Sequence, residues 1–287
     1  MSSEGKFKPK MLGIICNWCC YGGADLCGVS RFQYPTYIRL IRVMCSGRVD
    51  LKHLLLAFSN GADAMFVGGC HINDCHYNPE GNYDALSMVN LCKKLLEHVG
   101  IDPKRLRLEW VSAGEGIRFS NIMNEFAREI EKLGPLGKSE GIEEAELKSR
   151  LEQVTRLIPY FKLVKMKELA LHSPDQEGYS RLYTSEEVDR LIREAPSYYI
   201  DPGKCRACMT CAGRCPAEAI ISAKGQVHIV DQQKCIRCGT CFEACPPKFR
   251  AVTKIVGAPV PPPLPEEERA IIRKGKEKES EAAMPNS

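Results

Sequence analysis

Eight cysteines between positions 205 and 245 fall into two runs of identical spacing. The first is Cys205-x2-Cys208-x2-Cys211-x3-Cys215-Pro216 and the second Cys235-x2-Cys238-x2-Cys241-x3-Cys245-Pro246, each cysteine lying 30 positions after its counterpart. The flanks repeat as well, with Ile200-Asp201 ahead of one run and Val230-Asp231 ahead of the other. Three thiolates at x2 intervals wrap a tight loop around one multi-iron cluster, and the proline after the fourth turns the chain away. A zinc knuckle has no need of a complete four-cysteine run, still less of two. The chemistry implied is a pair of [4Fe–4S] clusters.

Over roughly 55 residues this segment resembles the bacterial two-cluster ferredoxins, in which the fourth cysteine of each run ligates the other cluster. That resemblance implies one cluster on Cys205, Cys208, Cys211 and Cys245, a second on Cys235, Cys238, Cys241 and Cys215, and one-electron transfer as their work.

A second concentration of cysteines lies near the start of the chain, in Cys16-Asn17-Trp18-Cys19-Cys20-Tyr21, Val43-Met44-Cys45-Ser46 and Gly69-Cys70-His71-Ile72-Asn73-Asp74-Cys75-His76-Tyr77. The elements around them alternate strand and helix. Apolar runs at Met11–Ile15, Leu40–Met44, Ala64–Gly68 and Leu106–Val111 predict four strands, and helical periodicity marks 51–59, 85–98 and 117–133. The expected fold is α/β, a flavodoxin-like parallel sheet with helices on both faces. In such sheets the functional crevice lies beyond the carboxyl ends of the strands, where Cys16, Cys45 and Cys70 fall. Three chemistries suit these thiols: a third iron–sulfur site, a four-thiolate zinc site, or a thioredoxin-like pair at Cys16 and Cys19. The pair leaves Cys45, Cys70 and Cys75 without a role.

The block from Met11 to about Leu133 resembles the delta, or iron–sulfur, subunit of methyl-viologen-reducing [NiFe]-hydrogenase. The resemblance rests on Cys16-Asn17-Trp18-Cys19, Val43-Met44-Cys45-Ser46-Gly47-Arg48-Val49, Ala62-Asp63, Gly69-Cys70-His71, Asp74-Cys75-His76-Tyr77 and Gly81-Asn82. It implies one [2Fe–2S] cluster passing electrons from a hydrogenase, formate dehydrogenase or related donor module to the flavin subunit of a heterodisulfide reductase. Five cysteines, Cys16, Cys19, Cys45, Cys70 and Cys75, match the family's pattern for a site that needs four. Cys45, Cys70 and Cys75 are the firm set, and Cys16, directly at its strand end, is preferred over Cys19. His71 and His76 are expected to donate hydrogen bonds near the site. The C-terminal ferredoxin module is a departure from the typical family member and leaves the electron donor open.

Hydrophobic residues at 44% and aromatics at 7% fit an ordinary soluble protein. Lys and Arg number 40 against 36 Asp and Glu, a net charge of +4, which argues against nucleic acid as a partner. The polar start of the chain lacks a signal-peptide core and no run is long enough to span a membrane, so a cytoplasmic protein with reduced thiols is expected. The expected organisation is a [2Fe–2S] domain over 9–137, a helical connector over 138–197 broken at Pro159, Pro174 and Pro196, a ferredoxin-like α+β domain over 198–257, and a mobile tail over 258–287. No Gly-x-Gly-x-x-Gly opens a helix after the first strand and there is no phosphate-binding loop, so no flavin is expected within this chain. The function expected is electron relay through one [2Fe–2S] and two [4Fe–4S] clusters, with soluble ferredoxin as a further exchange partner. The rival is a self-contained iron–sulfur enzyme using the N-terminal thiols on a substrate.

Overall fold

A computed structural model describes residues 7–271 apart from Pro79 and Pro174, and the chain divides into two compact units at Ala195 and Pro196. The first is built on four parallel strands, β1 (Met11–Cys16), β2 (Ile38–Val43), β3 (Ala64–Gly69) and β4 (Leu106–Trp110), in the order β2-β1-β3-β4. Met11 is in register with both Ile38 and Ala64, and Met65 with Leu106. The parallel arrangement follows from the helical crossovers between strands.

Side chains alternate across the sheet as the strand period requires. Met11, Ile15, Ala64 and Phe66 enter one core, closed by α1 (Cys19–Val29) and α4 (Gly116–Leu133) through Phe119, Met123 and Phe126. Ile14, Met65 and Val67 enter the other, under α2 (Leu51–Ser59) and α3 (Gly81–Val99). Both faces are covered, so β1 and β3 are near-continuously apolar.

Helix α1 is absent from the sequence expectation. Its residues, Cys19-Cys20-Tyr21-Gly22-Gly23-Ala24-Asp25-Leu26-Cys27-Gly28-Val29, carry little helical periodicity and three glycines. Two of those glycines serve close packing. A Cβ on Gly22 would lie 2.8 Å from Ala113 Cβ, and one on Gly23 would lie 2.9 Å from the Ser112 carbonyl oxygen. Burial against the β4–α4 turn offsets the poor local propensity.

The stretch after the sheet folds into α5 (Glu144–Val164), α6 (Met166–Leu169), α7 (Gln176–Arg181) and α8 (Ser185–Arg193). Leu147, Leu151, Val154, Phe161 and Val188 join the core beneath α2 and α3, so these helices are part of the first unit's packing. Pro159 does not break α5, contrary to expectation. An interior proline costs about 3 kcal/mol, but buried side chains continue on both sides of it, Leu157 and Ile158 before and Tyr160 and Phe161 after. The expected break at Pro174 lies outside the described residues.

The second unit is small and antiparallel. β5 (Ser197–Ile200) pairs with β8 (Val252–Ile255) and β6 (Ile220–Ile221) with β7 (Ile229–Val230), while two short helices, α9 (Thr210–Gly213) and α10 (Thr240–Ala244), follow the cysteine loops. Beyond β8 the chain is extended and returns to this unit: Val227 N–H donates to the Arg269 carbonyl at 2.7 Å and Ile271 N–H to the Gly225 carbonyl at 2.8 Å. The expected mobile tail beyond residue 271 lies outside the described residues. Among the described residues no helix is long and apolar enough to cross a membrane.

One buried cation ties the sheet to the turn that ends α4. Arg105, fully buried ahead of β4, donates to Glu140 at 2.6 Å and to the Asp63 and Gly134 carbonyls at 3.1 and 3.0 Å. Burial alone would raise the Glu140 pKa, but the Arg105 guanidinium holds it below the usual carboxylate value. Removing the cation orphans this carboxylate and both carbonyls, so Arg105→Ala is expected to destabilise the first unit by about 3–5 kcal/mol, measured by denaturant unfolding.

Candidate metal centres

The N-terminal thiols are delivered by the three connections that follow β1, β2 and β3, at the carboxyl ends of the strands. β1 ends at Cys16, and Asn17 N–H donates to the Val43 carbonyl at 2.7 Å, holding the ends of β1 and β2 together. α1 then starts at Cys19, and its Cys20 N–H donates to Cys16 Sγ at 3.2 Å. Cys45 follows β2 in extended backbone, Cys70 follows β3, and Cys75 lies on the loop before α3.

The sulfurs meet in pairs. Cys16 Sγ stands 3.7 Å from Cys70 Sγ, and Cys45 Sγ stands 4.0 Å from Cys75 Sγ. Cys19 reaches Cys70 as a third neighbour. Cys16, Cys45, Cys70 and Cys75 are all buried, and Cys19 is half-buried. Cys70 donates its thiol proton to Cys16, which with the α1 N–H groups lowers the Cys16 pKa to about 6 despite burial; the same contact pushes Cys70 up. Burial raises Cys45 to about 11 and also raises Cys19.

A glycine clears the space these pairs need. A Cβ on Gly81, the first residue of α3, would lie 2.5 Å from Cys75 Sγ and 2.6 Å from Cys45 Sγ. The N-terminal end of a 19-residue helix is thereby laid against two sulfurs, where its dipole favours negative charge. Two buried polar atoms nearby lack partners among the described residues, Ser46 Oγ and Asn82 Oδ1. Asn82 Nδ2 donates to the Cys70 and His71 carbonyls at 3.3 and 2.7 Å.

This donor set fits a metal–sulfur group. Two thiolates on one tetrahedral metal with bonds of ~2.3 Å stand about 3.8 Å apart, close to both observed pair distances. Among the described residues no group of three or more His, Cys, Asp or Glu side chains is placed to hold a single metal ion. His71 and His76 are engaged elsewhere. His71 Nε2 pairs with Glu115 at 2.7 Å, and the His76 ring stacks on Trp18 at 4.0 Å. Glu115 is a residue that sequence reasoning misses; Ser112 N–H and His71 hold its pKa below the usual carboxylate value. Cys20 and Cys27 are buried in the core that also holds the paired cysteines, and Cys92 in the other.

In the second unit the sequence repeat is also a structural one. Cys205 and Cys235 each donate a backbone N–H to the carbonyl of the preceding aspartate, Asp201 or Asp231, at 3.0 Å. Ala219 N–H donates to Cys215 Sγ at 3.3 Å and Ala251 N–H to Cys245 Sγ at 3.2 Å. Met209 and Gly239 both take left-handed backbone to open α9 and α10. Cys235 lies within electrostatic reach of both Cys238 and Cys215, so the fourth thiol of the first run stands near the second. Burial raises Cys211 to about 11 and Cys241 to about 12. Sequence reasoning also misses one neighbour here: buried His228 places Nδ1 3.3 Å from Cys211 Sγ. Laying the two halves of the repeat over each other is the signal that exposes it, since its counterpart is Tyr198.

Comparison with known proteins assigns each unit. Residues 11–134 match the family described as methyl-viologen-reducing hydrogenase, delta subunit, and residues 197–256 match the 4Fe-4S dicluster domain. The chain is 50% identical over 135 residues to the iron-sulfur subunit of the F420-non-reducing hydrogenase of Archaeoglobus profundus, covering 47% of this chain and 96% of that protein. The iron-sulfur subunit of the vhc F420-non-reducing hydrogenase of Methanococcus voltae is 49% identical over 129 residues, 45% of this chain and 89% of that protein. One subunit of the Ferredoxin/F(420)H(2)-dependent CoB-CoM heterodisulfide reductase of Methanosarcina acetivorans is 50% identical over 129 residues. The match covers 45% of this chain but only 16% of that much longer protein.

Gly81→Ala tests the clearance directly. The variant is expected to lose metal from the N-terminal site while keeping the iron of the second unit, read by metal analysis beside the unchanged chain.

Proposed function

Because the chain belongs to the methyl-viologen-reducing hydrogenase delta subunit family and carries a 4Fe-4S dicluster domain behind that region, we propose that it is an electron-relay subunit. It holds one [2Fe–2S] and two [4Fe–4S] clusters and has no substrate chemistry of its own. The observation that carries this reading is the meeting of buried sulfurs in two pairs, 3.7 and 4.0 Å apart, at the strand ends.

Cys16, Cys45, Cys70 and Cys75 hold the [2Fe–2S] cluster. Cys16 is chosen over Cys19 because it is buried and takes the Cys20 N–H, whereas Cys19 is half-exposed at the start of α1. Cys205, Cys208, Cys211 and Cys245 hold one [4Fe–4S] cluster, and Cys235, Cys238, Cys241 and Cys215 the other. When bound, the clusters supply reversible one-electron carriage. The surrounding residues supply negative-charge compensation, through backbone N–H groups and the start of α3, and exclude water from the sulfurs.

The acceptor is a flavin subunit of heterodisulfide-reductase type. In the Methanosarcina acetivorans relative, the matching region and the rest of that longer protein are one polypeptide. The donor is a hydrogenase, formate dehydrogenase or similar module, and soluble ferredoxin exchanges electrons at the second unit. The thiols occupy the strand-end crevice where a flavin would bind in this fold, so the flavin belongs to the partner. The complex operates in the cytoplasm.

Metal and sulfide analysis with EPR of the anaerobically purified, dithionite-reduced chain tests the reading. About ten irons per chain are expected, with both [2Fe–2S] and [4Fe–4S] signals; about eight irons with stoichiometric zinc would contradict it. Cys16→Ser is expected to abolish the [2Fe–2S] signal and Cys19→Ser to keep it. Loss in Cys19→Ser alone would exchange the two roles.

A further inference from the structure

The two halves of the second unit are alike in how they treat their sulfurs, with one exception. Besides the paired Ala219 and Ala251 N–H donors, Thr210 bonds Cys208 and Thr240 bonds Cys238 at the same step of each loop. At position 228 the first run receives an imidazole against Cys211, with Nδ1 at 3.3 Å from Sγ. The equivalent residue beside the second run, Tyr198, is buried against the Gly239 turn: a Cβ on Gly239 would lie 2.9 Å from its hydroxyl. Among the described residues, Tyr198 donates no hydrogen bond to a cysteine sulfur.

A metal-bound thiolate only accepts hydrogen bonds, so the facing nitrogen of His228 must carry the proton. Nε2 is then a bare lone pair, and it is buried with no partner among the described residues. A ring that leaves one nitrogen unsatisfied is placed for what its other nitrogen does. Reduction adds one negative charge to a cluster, and an N–H aimed at a ligand sulfur stabilises that charge, most effectively in a buried setting.

We propose that His228 makes the two cubane sites inequivalent: its Nδ1–H, donated to Cys211 Sγ, raises the potential of the cluster on Cys205, Cys208, Cys211 and Cys245 above that of its neighbour. Electrons delivered to this unit therefore rest first on the Cys211 side. The inference depends on the cluster assignments above.

EPR-monitored redox titration of the full-length chain tests it, with iron and sulfide measured on every preparation. Two distinct [4Fe–4S] midpoints are expected in the unchanged chain. His228→Phe removes the donor and is expected to lower the upper midpoint alone, by about a tenfold change in the reduced-to-oxidised ratio, or about 59 mV for one electron. His228→Asn keeps an N–H near the same place and is expected to restore most of the gap. Tyr198→His gives the second run its own donor and is expected to raise the lower midpoint; this variant decides the matter if His228→Phe fails to hold clusters. Coincident midpoints in the unchanged chain, or variants that leave both unmoved or shift both equally, would overturn the proposal. An unchanged chain with fewer than two cubanes would instead overturn the underlying assignment.

Discussion

Sulfur atoms less than 4 Å apart and shielded from water cannot all carry charge unless something positive stands between them. At that separation two thiolates repel by several kcal/mol even at an effective dielectric constant near 20. Cys16 and Cys70 meet the difficulty by sharing a proton, one thiol donating to the other. A coordinated metal removes it outright, since a coordinating thiol is deprotonated. Much of the first unit is arranged around this constraint. Parallel strands bring three turns together at their carboxyl ends, α1 supplies N–H groups to Cys16, and the start of α3 faces Cys45 and Cys75 with only Gly81 between.

The second unit meets the same constraint differently. Its cysteines come from two local loops, each preceded by an aspartate whose carbonyl receives the first cysteine's N–H. Because those loops are short and repeated, their chemistry can be read from spacing alone. The N-terminal site depends on three turns far apart in sequence, so its thiols become a site only once the sheet is assembled. That contrast explains what was legible. Strand positions, sheet type and the cysteines at strand ends followed from apolar runs and their intervals. Helix α1 did not, because Gly22 and Gly23 look like loop residues until the approach of Ala113 and Ser112 is seen. Nor did the continuity of α5 through Pro159, which burial of Leu157, Ile158, Tyr160 and Phe161 enforces. The partners of His71 and Cys211, namely Glu115 and His228, required long-range contacts that periodicity does not encode.

The two units bear on function in complementary ways. The first contains the region, residues 11–134, that matches the hydrogenase delta-subunit family; matches of similar length nearly fill the hydrogenase iron-sulfur proteins but form a small part of the heterodisulfide reductase chain. The second adds a dicluster domain to that region. Both aim backbone N–H groups at cysteine sulfur; in the second unit Cys205, Cys211 and Cys241 are buried, while Cys208 is exposed. Cys19 is the one thiol of the N-terminal group left half-exposed.

Electron capacity tests the central claim most directly. Coulometric titration of the anaerobic full-length chain with dithionite should take up about three electrons per chain, one for each cluster. Uptake of about two, unchanged when Cys45 and Cys70 are replaced by serine, would contradict a redox-active N-terminal site and with it the relay.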